Sequence, residues 1–303
     1  MPIADVPLSQ AGDLAELYNE IVAGAPHCYP VTRDEFAITC PPPNTEELDF
    51  SGLSGERLLV ALSGEAPVGF AHVARGHITF RGERVPGGFL HFLGYLPGNR
   101  AAAQELLEEC EEHLRRAGHW RVFAFHGHLH ERNYRFYHFG FPCLSDRLLH
   151  VHGLLCHNGF RTGEREVFLA QAIGVSGEPV PPGTDARIVV RELPGGDLPG
   201  VEVQALRGDE EIGVCYAESG GAFCRADEAQ RILLVDGMGV REDDTGKGWG
   251  RYLLRKALVE ARQRGFTRTV VSTALGNTRA LLFYTNLGYR ATDAVYALTK
   301  SLT

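Results

Sequence analysis

Three glycines at every second position, Gly246, Gly248 and Gly250, come after a short apolar stretch, Ile232-Leu233-Leu234-Val235. They precede a run in which Leu253, Leu254, Ala257, Leu258 and Ala261 recur at helical spacing. A glycine-rich turn that opens a helix leaves several backbone N–H groups without partners, and the helix dipole adds partial positive charge there. The turn therefore suits an anion, most naturally a phosphate, and glycine lets the backbone approach where a Cβ would stand in the way. Two common phosphate loops do not fit. A P-loop needs Ser or Thr after its lysine, and Lys247 is followed by Gly248. The dinucleotide fingerprint needs an acidic residue at the tip of the next strand, and Thr269-Val270-Val271-Ser272-Thr273 carries none.

The segment after that strand is more specific: Asn277, Ala280, Phe283, Tyr284, Gly288 and Tyr289 stand in the pattern N-x-x-A-x-x-F-Y-x-x-x-G-Y. With it, the whole of Arg231 to Tyr289 resembles the GCN5-related N-acetyltransferase (GNAT) superfamily. That family's acyl-CoA signature is a hydrophobic strand, then [Q/R]-x-x-G-x-[G/A], then a helix, and its later signature is the Asn-to-Tyr pattern above. Gly248-Trp249-Gly250 supply the first signature. Thr245 stands where the family prefers Gln or Arg, although its hydroxyl can still cap the turn.

The resemblance implies acetyl-CoA (coenzyme A) as cofactor and distributes the work among named residues. The backbone of Gly246, Lys247, Gly248, Trp249, Gly250 and Arg251, with Thr245 at its entrance, is expected to cradle the pyrophosphate. Met238, Gly239 and Val240 form the splayed strand expected to hold the pantetheine arm. Gly237 and Gly239 fit a bulge there. A backbone N–H at such a bulge would stabilise the developing oxyanion by ~3 kcal/mol. Tyr284 is the family-matched general acid for the departing thiolate. A phenol with a pKa near about 10 can serve, and such help is worth roughly 10²–10⁴-fold. Asn277 is expected to cap the next helix and to touch CoA, and Phe283 belongs to the same cofactor motif. For the base, Asp236 is the first choice, with Glu211, Glu218 or a water chain as alternatives. Structural roles compete throughout: Tyr284 as a core aromatic, Asp236 as a turn or ion-pair residue, Trp249 as helix packing, Lys247 and Arg251 as solvated charges.

The elements that must position these residues point to an α/β fold of two GNAT-like domains in tandem, each a mixed, mostly antiparallel sheet flanked by helices. The chain has 303 residues, 44% hydrophobic and 22% charged, enough for two ordinary domains. No run of 18 apolar residues occurs, and the start MPIADVPLSQ lacks a signal-peptide pattern, so the expectation is a cytoplasmic protein without a membrane partner. Seven scattered cysteines without a CxxC read as reduced thiols. The net charge of −8 argues against nucleic acid and is compatible with a cationic acceptor.

In chain order, helices are expected at Ala11 to Ala23, from Thr32 onward, and at Gly98 to Gly118. Strands are expected at Arg57 to Leu62, Pro67 to Val73, Gly88 to Tyr95 and Trp120 to Phe125, and a helix and strand at about His150 to Leu169. Pro67-Val-Gly69-Phe-Ala resembles Glu211-Ile-Gly213-Val-Cys, and Cys156-His-Asn-Gly159-Phe160-Arg161 resembles Asn286-Leu-Gly288-Tyr289-Arg290. This suggests an internal repeat. The expected layout is residues 1–173 as a first GNAT-like domain, 174–185 as a Gly/Pro-rich linker, and 186–303 as a second domain with the acyl-CoA site. The first half lacks the glycine pair in Leu96-Pro97-Gly98-Asn99-Arg100-Ala101, and Leu155 stands where Tyr284 does in the second. Its cofactor motif is thus read as degenerate. The second half leaves no room for the two N-terminal helices usual in the family, so its acceptor cleft would be closed by the first domain or by the partner subunit of a homodimer.

Eight of the thirteen histidines fall between His119 and His157, and His126, His128 and His130 alternate as on one strand face. A zinc or nickel site competes there with a plain surface loop, and no metal is assigned. The aromatic run Tyr134 to Phe139 could line an acceptor pocket, a dimer contact or the core. The resulting expectation is an acetyl-CoA-dependent N-acyltransferase acting on a primary amine of a small molecule or peptide by direct attack. The alternatives are an acyl-CoA-binding module without turnover and an aminoacyl- or peptidyl-transferring tandem protein.

Overall fold

A computed structural model of the chain describes residues 2–39, 54–80, 83–118, 120–125, 134–141, 143–174 and 177–302. These gather into two compact units, Met1–Glu166 with Asp293–Thr303, and Val167–Thr292. The units differ from the layout expected from the sequence at two strands. Residues from Val167 onward in the last strand of the first half belong to the second unit, and those from Asp293 onward in the last strand of the chain belong to the first.

The first unit runs β1 (Ile3–Val6), a 3₁₀ turn, α1 (Ala15–Val22), α2 (Arg33–Thr39), β2 (Ser54–Ser63), β3 (Ala66–Phe80), β4 (Glu83–Tyr95), α3 (Arg100–Arg116), β5 (Arg121–Ala124), β6 (Leu144–Ser145), α4 (Leu149–His157) and the start of β7 (Arg161–Ala172). The helix expected from Ala11 begins at Ala15, because Leu8–Leu14 takes the tighter 3₁₀ form. α2 opens with a reciprocal cap: the Glu35 N–H donates to Thr32 Oγ1 and the Thr32 N–H to Glu35 Oε2. The sheet order is β1-β2-β3-β4-β5, and the final strand of the chain adds beside β5, with Leu298 opposite Ala124. Tyr134, Phe136, Tyr137 and Phe139 are all buried; they pack with Tyr18, Tyr29, Phe36 and Phe92, so the aromatic run is core.

The second unit continues with β8 (Arg187–Leu193), β9 (Gly200–Arg207), β10 (Glu210–Ser219), α5 (Asp227–Gln230), β11 (Ile232–Val240), α6 (Trp249–Arg264), β12 (Arg268–Ala274), α7 (Thr278–Asn286) and the start of β13 (Arg290–Ser301). Its sheet order is β7-β12-β11-β10-β9-β8. β8 and β9 are joined without a helix between them, as the short connection predicts. The Gly/Pro-rich segment before β8 is pinned to its own unit, by Glu178 to Lys256 and by Asp185 to Arg207.

The internal repeat is visible in the register. Gly69 opposes Tyr95 where Gly213 opposes Val240, and Ala71 opposes Leu93 where Cys215 opposes Met238. In both units a parallel strand pair then comes apart, β4 from β5 after Leu90/Ala124 and β11 from β12 after Val235/Val271.

Candidate active site in the second unit

After β11 separates from β12, no strand among the described residues pairs with that edge of Gly237–Val240, while the other edge remains paired to β10. Backbone groups on a freed edge need partners, which a bound chain can supply. The bulge that helps open this edge is Asp236 itself. Tyr216 faces Gly237 and Ala217 faces Val235, so Asp236 is the extra residue, and Gly237 and Gly239, expected to form the bulge, remain in register.

The opening is a cleft of about 950 Å³ lined by β11, the turn into α6, the end of β12 and the first turns of α7. It gathers Asp236, Met238, Gly239, Val240, Thr245, Gly246, Gly248, Trp249, Gly250, Arg251, Asn277, Phe283 and Tyr284 around one space. Of the residues anticipated as site residues, Lys247 is the exception. Its ammonium lies 3.2 Å from the buried Asp244 carboxylate, which also takes Arg241 at 2.8 Å and Arg207 at 3.3 Å. The hydrogen bonds from Arg207, Lys247 and Arg241 outweigh desolvation and hold Asp244 down to about 2. Lys247 thus ties the turn to Asp244.

The turn is shaped by backbone requirements. Gly246 and Gly248 have φ of +80° and +94°, which other residues adopt only under strain. Gly250 has ordinary helical geometry, and a Cβ there would stand 3.6 Å from the Phe283 ring. Thr245 caps backwards, its hydroxyl donating to the Arg241 carbonyl. The first N–H of α6 with a backbone acceptor is Tyr252, to Gly248 O, so the N–H groups of Trp249, Gly250 and Arg251 precede the helix ladder. The Trp249 indole is buried, edge-on to Tyr252, which leaves its backbone for the cleft.

Asn277 caps α7, its Oδ1 accepting from the Ala280 N–H at 3.1 Å. Tyr284 is 5% exposed, packed between Phe283 and Tyr289, and its hydroxyl has no hydrogen-bond partner among the described residues. Burial first, then Cys215 and Tyr289, push its pKa well above the ordinary phenol value, so it stays protonated. The Cys215 thiol is fully buried and pushed up to about 12, which rules it out as a thiolate nucleophile near neutral pH.

Asp236 lines the cleft, is exposed and stands beside the Tyr216/Gly237 pair. Burial and then Glu218, Asp236 and Glu202 raise the Tyr216 pKa, marking a carboxylate-rich surround. Glu218 opposes Leu234 and so stays a neighbour of Asp236, whereas Glu211 sits near the hairpin tip, hydrogen-bonded by Gln204. Asp244, Ser272, Thr273 and Arg279 also line the cleft, and none of them is among the residues anticipated from the sequence. Arg279 is within reach of a motif reading, two places after Asn277. Ser272 and Thr273 become visible only once the strands are seen to part beside them. His126, His128 and His130 lie outside the described residues.

Residues 195–289 match the family described as "Acetyltransferase (GNAT) family". The second unit carries a GNAT-family domain. No curated protein matches the sequence. Among solved structures, a tandem GNAT protein from the clavulanic acid biosynthesis pathway aligns with a TM-score of 0.71 at 12% identity, over 100% of this chain and 98% of that one. A GCN5-related glucosamine N-acetyltransferase region of a fungal multi-domain β-N-acetylglucosaminidase gives 0.65 at 15% identity, over 98% and 38%. A GCN5-related N-acetyltransferase from Sphaerobacter thermophilus gives 0.61 at 13% identity, over 99% and 95%. At these identities the likeness is one of fold, and the fold is that of a tandem GNAT protein. Among the described residues, no helix is long and apolar enough to cross a membrane.

Proposed function

We propose that the second unit is an acetyl-CoA-dependent N-acyltransferase that moves an acetyl group to a primary amine of a small molecule or peptide. The observation that carries this reading is the Tyr284 hydroxyl, protonated and without a partner among the described residues, on the wall of a cleft between two parted strands. The cleft also fits the cofactor in kind. The left-handed Gly246 and Gly248 present the N–H groups of the first α6 turn, and Arg251 and Arg279 add positive charge for phosphates. The free edge of Met238, Gly239 and Val240 supports a pantetheine arm in an extended conformation.

Bound acetyl-CoA would supply a thioester carbonyl open to attack by a neutral amine. The chain's own residues would do the rest. A backbone N–H on the free edge of β11 would stabilise the oxyanion, Tyr284 would give its proton to the departing sulfur, and Asp236 would take a proton from the acceptor ammonium, directly or through water. The carboxylates around Tyr216 favour a cationic acceptor at the mouth. Direct transfer is supported by the burial of Cys215, the cysteine whose charge would be felt at Tyr284. In the first unit the Tyr95 hydroxyl donates to the His150 carbonyl, and the His150 ring packs edge-on at 4.7 Å. This contact, at the place that Val240 holds in the second unit, supports a first unit without cofactor chemistry.

Tyr284→Phe tests the proposal. Turnover over an amine panel should fall by roughly 10²–10⁴-fold while the Kd for acetyl-CoA stays within about twofold. Unchanged turnover would remove Tyr284 as the acid. Tight acetyl-CoA binding by the wild type with no transfer to any amine would make the protein a binding module.

A further inference from the structure

We propose that Glu56, His72 and His91 form a zinc site in the first unit. The three come from adjacent strands β2, β3 and β4, and their ligating atoms all lie within 4.8 Å of one another. Glu56 Oε1 is 3.5 Å from His72 Nε2. Around a tetrahedral zinc with bonds of about 2.0–2.1 Å, ligand atoms stand about 3.4 Å apart. One pair is therefore already at that spacing, and small side-chain rotations bring in the third.

Two bulges converge on this point. On one side of β3, Ser54 faces Arg75 and Arg57 faces Val73, so β2 carries an extra residue where Glu56 lies. On the other, His72 faces Phe92 and Val73 faces Leu90, which makes His91 the extra residue of β4. Bulges re-aim side chains, and these two aim a carboxylate and an imidazole at the central His72.

The donor atoms are left over by the protein. Among the described residues, Glu56 Oε1, His72 Nε2 and His91 Nε2 are each buried without a hydrogen-bond partner, although buried polar atoms are almost always paired. An ion pair between His72 and Glu56 would still strand His91 Nε2. A divalent cation serves all three at once. The supporting groups agree. The Tyr134 hydroxyl sits 3.4 Å from His72 Nδ1 and so leaves Nε2 as the ligand atom. Two imidazoles and one carboxylate, with a fourth place for water, are a zinc donor set, and the partly exposed Glu56 side chain gives the ion a way in. The ion would staple three strands at the two points where their ladders are interrupted.

The test uses full-length protein stripped of metal with a chelator. Titration with Zn²⁺ should show a site that raises the melting temperature and is weakened at least about tenfold by Glu56→Gln, which keeps the side chain's shape and removes its charge. Co²⁺ in the wild type should give the intense visible bands of a tetrahedral site, and these should vanish in His91→Gln. Zinc affinity and thermal shift equal in wild type and Glu56→Gln would overturn the proposal, as would a weak octahedral Co²⁺ spectrum. Neither readout involves acyl transfer, so the outcome is independent of the function proposed for the second unit.

Discussion

His91 and Asp236 hold the same place in two sheets. Each is the extra residue of a bulge, on β4 and on β11, two positions before Leu93 and Met238, which oppose the equivalent Ala71 and Cys215. One backbone device thus presents a buried imidazole in the first unit and an exposed, cleft-lining carboxylate in the second. The repeat has kept its geometry while the chemistry at the repeated position has diverged.

Acetyl-CoA titrated calorimetrically into the full-length protein should bind at one equivalent per chain, and Gly248→Glu should abolish it. The substitution forces an L-residue to φ +94°, at a cost of about 1–2 kcal/mol, and puts negative charge among the N–H groups proposed to take phosphate. Two equivalents would show that the first unit also takes the cofactor.

Asp236→Asn should lower kcat/KM for the amine by about 10–100-fold without changing acetyl-CoA affinity, since the residue is exposed on the β11 bulge and is not part of the glycine turn. Glu211→Gln, near the hairpin tip, should have no effect. A loss under about threefold for Asp236→Asn would transfer the base role to Glu218 or water.

The Asp244 cluster predicts an acid limit. A carboxylate with a depressed folded pKa contributes stability that is full above its unfolded value of 3.8 and is lost as pH falls through about 2. The wild-type melting temperature should therefore drop between about pH 4 and about pH 2 more steeply than that of Asp244→Asn. The variant should also bind acetyl-CoA more weakly at neutral pH, because Arg207, Arg241 and Lys247 lose their common anchor.

In the first unit, His138 Nε2 lies 3.1 Å from Asp293 Oδ2 with both side chains fully buried, and Ser145 Oγ donates to the same oxygen. Burial alone would lower His138, but Cys28 and Asp293 outweigh it and raise the imidazole to about 10. A raised histidine contributes stability that is full below its unfolded value of 6.5 and is lost as pH rises through about 10. Asp293→Asn should cost about 3–5 kcal/mol near pH 6 by urea denaturation, and the gap to wild type should shrink above about pH 10.

Much of the second unit's cleft is legible in one dimension. Gly246, Gly248, Asn277 and Tyr284 are tied to their neighbours by local rules, a left-handed turn, a helix cap and a helix face, and local rules leave their mark on short stretches of chain. The repeat is legible too, since Gly69 and Gly213 mark equivalent strands. Other features exist only in three dimensions. In the sequence the Lys247 side chain could be near a phosphate or solvated, and only the fold pairs it with Asp244, which Arg207 and Arg241 share. The exchange of terminal strand segments between units has no local signature, because β pairing joins residues far apart in the chain. Glu56, His72 and His91 have no motif spacing at all. Two strand bulges bring them together, and a bulge is a property of the register between strands, which no single strand's sequence contains.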